Sequence, residues 1–267
     1  MSSFKLPTLL KDKIDLTYLE YPTMGYSEDQ VLLIKQGYQN KDIVIKYSKR
    51  KEVHKEALIL KWLNGYIQVP HVYFDFQEDG IYYLVMEMLP GVMGQYGFNQ
   101  LSEDEMIKLY ALEIKKWHQI PIENFPNVNT LQEKLEHVRN NVEKHLVKTQ
   151  YFEKEYQGKT PEELYQKMMN LYPQEFDLVL CHGDVCMPNF MIEDGYVTGW
   201  IDVIGCGVND RYLDVAIALR TLRFNFEAMH QEFTKERMQL FLKTYGLNKL
   251  DMKKLEFYIL LDEMTNN

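Results

Sequence analysis

The feature that most constrains the fold is a change of pattern at Pro90-Gly91. Before it, Gln30–Lys35 and Lys41–Tyr47 are β-rich runs separated by the turn-like Gly37-Tyr38-Gln39-Asn40. Lys51–Leu63 has helical spacing and is stopped by Asn64-Gly65. Val72–Phe76 and Ile81–Met88 read as strands joined through Glu78-Asp79-Gly80, a hairpin signal. Beyond the Pro-Gly break the chain turns helical. Ser102 and Glu105 form a capping box ahead of a helix to about His118, and Thr130 and Glu133 repeat it before a helix to about Lys148. Thr160-Pro161-Glu162-Glu163 sets a cap, an N1 proline and an N3 glutamate in order. Late helices are expected over Tyr212–Arg223, Lys235–Tyr245 and Met252–Glu263. A small β-rich part followed by a larger helical part predicts an α+β chain of two lobes, 1–90 and 91–267, with a cleft between them.

Composition narrows the functional classes. A chain of 267 residues can give each lobe a core of its own, and a 13% aromatic share argues against disorder. The net charge of -9 supplies no basic stripe for a nucleic-acid backbone and is compatible with a cationic ligand. No apolar run approaches the ~20 residues of a membrane span. Three cysteines, Cys181, Cys186 and Cys206, without a signal peptide point to a reducing compartment, so a cytoplasmic protein is expected.

The richest stretch is Cys181-His182-Gly183-Asp184-Val185-Cys186-Met187-Pro188-Asn189, a loop after the apolar run Phe176–Leu180. From Asn189 the chain runs to Ile192, turns through Glu193-Asp194-Gly195 and returns as Tyr196–Ile201. A hairpin there brings Asn189 and Asp202 to the same open end, with Asp184 one loop away. Two carboxylates forced together repel unless a cation joins them. Every donor on offer is oxygen, which suits Mg²⁺ and its phosphates better than zinc. Phosphoryl transfer needs this set: an aspartate to orient a hydroxyl, and an Asn and an Asp to hold metal against the phosphates. In the first lobe, Glu56 falls on the apolar stripe of the Lys51–Leu63 helix, where a carboxylate needs a cation. Lys46, closing the run Ile43-Val44-Ile45-Lys46, is the lysine already placed in a strand, and such a pair aims a lysine at phosphates.

These residues, with Gly199-Trp200-Ile201-Asp202 and Gly207-Val208-Asn209-Asp210-Arg211-Tyr212-Leu213-Asp214-Val215-Ala216, resemble the core of aminoglycoside 3'-phosphotransferases. The close Phe257-Tyr258-Ile259-Leu260-Leu261-Asp262-Glu263 is similar to theirs as well. The resemblance implies a bilobal protein-kinase-like fold, ATP as donor, Mg²⁺, and direct in-line transfer of the γ-phosphoryl group to an aminoglycoside hydroxyl, hence an antibiotic-resistance activity. It implies Asp184 as the catalytic aspartate, Asn189 and Asp202 as metal ligands, and Asp214 as a support for the loop. It likens Gly25-Tyr26-Ser27 to a short phosphate loop, with Ser27 a donor to phosphate, and Glu87-Met88-Leu89 to the hinge whose backbone meets adenine. It makes Glu153, Asp262 and Glu263 the candidates for the cationic substrate.

Three departures bear on substrate. Val203-Ile204-Gly205 stands where the family usually shows Gly-Arg after Ile-Asp, leaving Arg211 and Arg220 as candidates to compensate. Phe224-Asn225 stands where an acidic pair is expected, and Met264-Thr265-Asn266-Asn267 follow the Asp-Glu pair in place of an aromatic end. The rival readings are a kinase of another small alcohol, such as an amino alcohol, a sugar or a different antibiotic, and a nucleotide-binding protein without catalysis. A metal site from Cys181, His182, Cys186 and Cys206 is a third, weakened because a C-x₄-C spacing matches none of the usual zinc pairs. The other histidines, His118 among them, receive no role.

Overall fold

The computed structural model describes residues 6–22, 29–126 and 128–265. It divides into two compact units, Met1–Gly91 with Thr198–Ile204, and Val92–Val197 with Gly205–Asn267. Among the described residues no helix is long and apolar enough to cross a membrane.

The first unit is built on an antiparallel sheet of β1 (Tyr18–Glu20), β2 (Gln30–Tyr38), β3 (Lys41–Ser48), β4 (Val72–Glu78) and β5 (Ile81–Glu87), in the order β1-β2-β3-β5-β4. Helix α1 (Glu52–Leu63) follows β3. Both tight hairpins turn through two residues at positive φ, Gln39-Asn40 and Asp79-Gly80, the turn whose twist matches that of its strands. Register assigns the faces. Ile45 lies opposite Val85 and Leu32, and joins Ile34, Ile43, Tyr83, Leu10 and Ile14 in one buried cluster. Lys46, one residue on, therefore points to the other face, opposite Leu84 and Val31, where α1 buries Val53, Glu56, Ala57 and Leu60. The segment Thr198–Ile204 is tied to this unit by Thr198 Oγ1, which donates to Pro90 O at 2.7 Å, and by Trp200 N–H, which donates to Gln68 O at 2.9 Å.

The second unit holds β6 (Val92–Met93), α2 (Glu103–Trp117), α3 (Leu131–Glu143), α4 (Pro161–Asn170), β7 (Leu178–Cys181), β8 (Phe190–Glu193) and the start of β9 (Tyr196–Trp200), which leads into the first unit. β10 (Gly207–Asp210), α5 (Tyr212–Ala228), α6 (Lys235–Tyr245) and α7 (Met252–Thr265) complete it. All three predicted capping boxes form, at Ser102, Thr130 and Thr160. Every residue of α5 from Tyr212 to Leu219 is buried, so this helix is the centre of the unit, with α7 packed on it and α3 and α4 on α7. Two helix ends differ from expectation for one reason. α3 stops at Glu143, not near Lys148, because His145 turns left-handed and its N–H, with that of Leu146, closes on Val142 O and Asn141 O. α5 runs past Arg223 to Ala228 and ends the same way at His230, with Gln231 N–H on Phe226 O. A histidine at the left-handed cap gives none of the warning that a glycine would.

Candidate active site

In the first unit, burial and charge fix Lys46. Lys46 is 8% exposed and Glu56 1% exposed, and ammonium and carboxylate pair at 2.7 Å. Asp29 and Asp202 each lie 3.7 Å from the same nitrogen. Burial alone would lower the Lys46 pKa, but Glu56, Asp202 and Asp29 outweigh it and hold the group above its ordinary value. A charged lysine hydrogen-bonded to Glu56, with buried Asp29 and half-exposed Asp202 each at 3.7 Å, has hydrogens left to offer an anion. Asp202 itself sits at φ 55°, an uncommon place for a residue with a side chain. Asp29 carried no sequence signal, whereas the Lys46–Glu56 contact is as expected from the strand and the helix stripe. Of the hinge-like residues, Glu87 accepts His71 N–H on its carboxylate at 3.2 Å, and Leu89 packs over Gly199. Ser27 lies outside the described residues.

In the second unit, β7 and β10 pair antiparallel, Cys181 beside Gly207, and deliver the loop that begins at His182. Gly183 turns at φ 84°, and a methyl group there would come within 2.2 Å of Gly205 O, so the middle residue of His-Gly-Asp has to be glycine. The loop hangs on Asp214, fully buried in the first turn of α5. Asp214 Oδ2 accepts the His182 N–H at 2.8 Å and His118 Nε2 at 3.0 Å, and Oδ1 accepts the Gly183 N–H at 2.9 Å. Burial would raise the Asp214 pKa, but His118, His182 and the Gly183 amide bring it below the ordinary carboxylate value. His118 is held from behind by Tyr245 Oη at 2.6 Å. This histidine, which the sequence left without a role, is therefore part of the loop's support.

Asp184 is half-buried at the turn of that loop. Its Oδ1 accepts the Cys186 N–H at 3.3 Å and its Oδ2 accepts Asn189 Nδ2 at 2.9 Å. Asn189 spends the same amino group on Asp184 O at 3.0 Å, so its carbonyl oxygen remains as an acceptor for a cation. The three thiols are all pushed well above their ordinary pKa by burial, which leaves them neutral and poor zinc ligands. Among the described residues the His/Cys/carboxylate group that could share an ion is His118, Cys181 and Asp214, whose atoms already serve the loop's hydrogen bonds. The oxygen donors Asp184 and Asn189 of this loop suit a hard cation such as Mg²⁺; the thiols do not.

A cavity of about 630 Å³ adjoins the loop, lined by Cys186 and Pro188 on one side and by Glu153, Arg220, Arg223, Phe224 and Asp262 on the other. Burial raises the Asp262 pKa, with Arg220 drawing it back in part and the charge of Asp184 adding to the rise. Of the three acidic residues expected to meet a cationic ligand, Glu153 and Asp262 line this cavity and Glu263 is buried outside its lining; all three gather around a cation of the protein's own. The Arg220 guanidinium spends Nε on Glu153 at 2.6 Å, Nη2 on Glu263 at 2.6 Å and Nη1 on Asp262. Arg223 also pairs with Glu153. Arg220 is thus committed to these three carboxylates, and Arg211 is tied to Asp177 at 2.6 Å and to Tyr245.

The profile of the family described as "Phosphotransferase enzyme family" matches residues 20–244. An aminoglycoside 3'-phosphotransferase of Niallia circulans is 34% identical over 96% of each chain. One of Enterococcus faecalis is 30% identical over 99% of this chain and 100% of its own. The crystal structure of an aminoglycoside-3'-phosphotransferase of type VIII superposes with a TM-score of 0.77 at 26% identity, covering 92% of this chain and 93% of that one. The strand-rich first unit and helical second unit are thus the protein-kinase-like α+β fold, and the chain belongs to the aminoglycoside 3'-phosphotransferases of the phosphotransferase enzyme family.

Proposed function

We propose that this protein transfers the γ-phosphoryl group of ATP directly to a hydroxyl of an aminoglycoside, at the 3' position, and so confers resistance to such antibiotics in the cytoplasm. The observation that carries the reading is the Asp184 loop, fixed from behind by Asp214 and His118 and opening onto a cavity walled by carboxylates. Asp184 is the catalytic residue. It orients the acceptor hydroxyl and takes its proton as the bond to phosphorus forms and the bond to the leaving ADP oxygen breaks. Lys46, aimed by Glu56, offers its ammonium to the α- and β-phosphates, Ser27 donates to phosphate, and the backbone near Glu87 and Leu89 receives adenine. Asn189 in the second unit and Asp202 in the first would hold magnesium, which neutralises charge on the phosphates. Glu153, Asp262 and Glu263 set the preference for a cationic acceptor.

A second reading, phosphorylation of another small alcohol, is favoured by one observation. Arg220 and Arg223 already neutralise much of the acidic wall, and Phe224 presents a ring that is 70% exposed where an acid would strengthen it. Purified protein with ATP and magnesium, offered kanamycin, neomycin and a panel of amino alcohols and sugars, separates the two. The expected product is a singly phosphorylated aminoglycoside; turnover confined to the other alcohols would reject the first reading. Asp184→Asn should abolish turnover while ATP binding persists, and an active variant would remove Asp184 from its role.

A further inference from the structure

We propose that Arg223 sets acceptor specificity as a tethered cation: its guanidinium occupies the place on Glu153 that an acceptor ammonium would take, and binding exchanges one for the other. The inference rests on the phosphotransferase reading above and concerns how the acidic wall distinguishes its ligands.

The two arginines of this wall differ in kind. Arg220 is largely buried and gives a separate nitrogen to each of Glu153, Asp262 and Glu263, so it is a fixed part of the structure. Taking it away would leave three acidic groups crowded together with nothing between them. Arg223, one turn further along α5, has a side chain that is 44% exposed and meets Glu153 alone among the ion pairs of the described residues. Its contact is with Glu153 Oε2, the oxygen that Arg220 leaves, since Oε1 is taken by Arg220. Glu153 thus has one oxygen fixed by a buried arginine and one whose direct partner is a charge reaching in from solvent.

Both residues line the cavity beside the catalytic loop. An ammonium entering there can take over Oε2 as its acceptor, and the displaced guanidinium returns to water with its charge solvated and its rotamers regained. The charge count of the wall is unchanged by the exchange. A neutral alcohol does not compete for that carboxylate, so the device weakens the binding of cations and narrows their advantage over neutral acceptors. The competitor's strength is that of a half-exposed ion pair, which corresponds to about a threefold to fivefold change in affinity.

The test compares steady-state kinetics of wild type, Arg223→Gln and Arg223→Lys with kanamycin at fixed ionic strength. In Arg223→Gln the KM for kanamycin should fall about threefold to fivefold, with no change in the KM for ATP. Arg223→Lys retains a tethered cation and should stay near wild type, which also guards against a folding artefact. In a Glu153→Gln background the Arg223→Gln change should lose its effect, because the contested oxygen is no longer charged. A KM that is unchanged or raised in Arg223→Gln overturns the proposal. If wild type phosphorylates no aminoglycoside, the functional reading fails by itself. Calorimetry with spermidine then decides the inference: tighter binding to Arg223→Gln than to wild type supports it, and equal or weaker binding overturns it.

Discussion

Asp214→Asn tests whether the Asp184 loop is held by a charge or merely by shape. The substitution preserves size, so no cavity is opened, and its whole effect falls on hydrogen bonds. Asp214 is fully buried and accepts from His182 N–H, Gly183 N–H and His118 Nε2 at 2.8, 2.9 and 3.0 Å. Asparagine has one acceptor oxygen. Placed at Oδ2 it keeps His182 and His118, but its NH₂ then faces the Gly183 N–H, donor against donor. One buried donor left unmet costs about 1–3 kcal/mol, and the two surviving bonds lose their charge assistance, about 0.5–1 kcal/mol each. The expected loss is about 3 kcal/mol, a fall in Tm of roughly 6–12 °C for a chain of this size. Because Gly183 adjoins Asp184, a displacement of about 1 Å there should also lower kcat about 100-fold. The pH dependence supplies a further check. The folded pKa of Asp214 is depressed, so its contribution is fully present above the ordinary value of 3.8 and is lost as pH falls through the lower, folded value. The gap between wild type and variant should therefore close only in strong acid. Thermal melts and turnover at pH 7 decide the matter: a variant within about 2 °C of wild type with ordinary kcat would refute the account of the loop.

Two further predictions follow from the buried charges. Glu56→Ala leaves the Lys46 ammonium without its buried partner and should cost about 3–5 kcal/mol, whereas the double variant Lys46→Met with Glu56→Leu should recover most of that stability but not activity; chemical denaturation with paired assays measures both, and a double variant no more stable than Glu56→Ala would contradict the pairing. Burial pushes Glu263 up to about 7, with Arg220 drawing it back only in part. A carboxyl raised in the folded state binds protons that the unfolded chain has released. Its effect on stability is therefore most favourable below its ordinary value of 4.5 and declines as pH rises to about 7. Glu263→Gln should remove that component of the decline, and melting curves between pH 5 and pH 8 that run parallel for the two proteins would count against it.

What the sequence revealed and what it concealed divide along chain separation. Turns and caps are local, and the Asp79-Gly80 and Asp194-Gly195 turns and the three capping boxes were legible because every group involved lies within a few residues. The Lys46–Glu56 pair spans 10 residues and was still inferable, since a strand and the helix after it leave few ways to meet. His118 reaches Asp214 across 96 residues and carries no motif, so no reading of spacing could assign it to the loop. The helix ends at His145 and His230 were missed for a different reason. Their left-handed backbone is imposed by the closing hydrogen bonds, not announced by residue type.

The acidic wall shows why charge in a binding site cannot be read from the acidic residues alone. Glu153, Asp262 and Glu263 were identifiable as candidates, and they do lie together, but their effect on a ligand depends on what already neutralises them. Arg220 sits 67 residues from Glu153 and 42 from Asp262, so its role was invisible until α5 and α7 were packed. With Arg220 committed to all three, the wall attracts a cation through whatever negative charge remains after internal pairing, and that remainder is controlled by the most exposed partner, Arg223. Specificity in such a site is a competition between two cations for one carboxylate, so substitutions that leave every acidic residue in place can still change which acceptor is preferred.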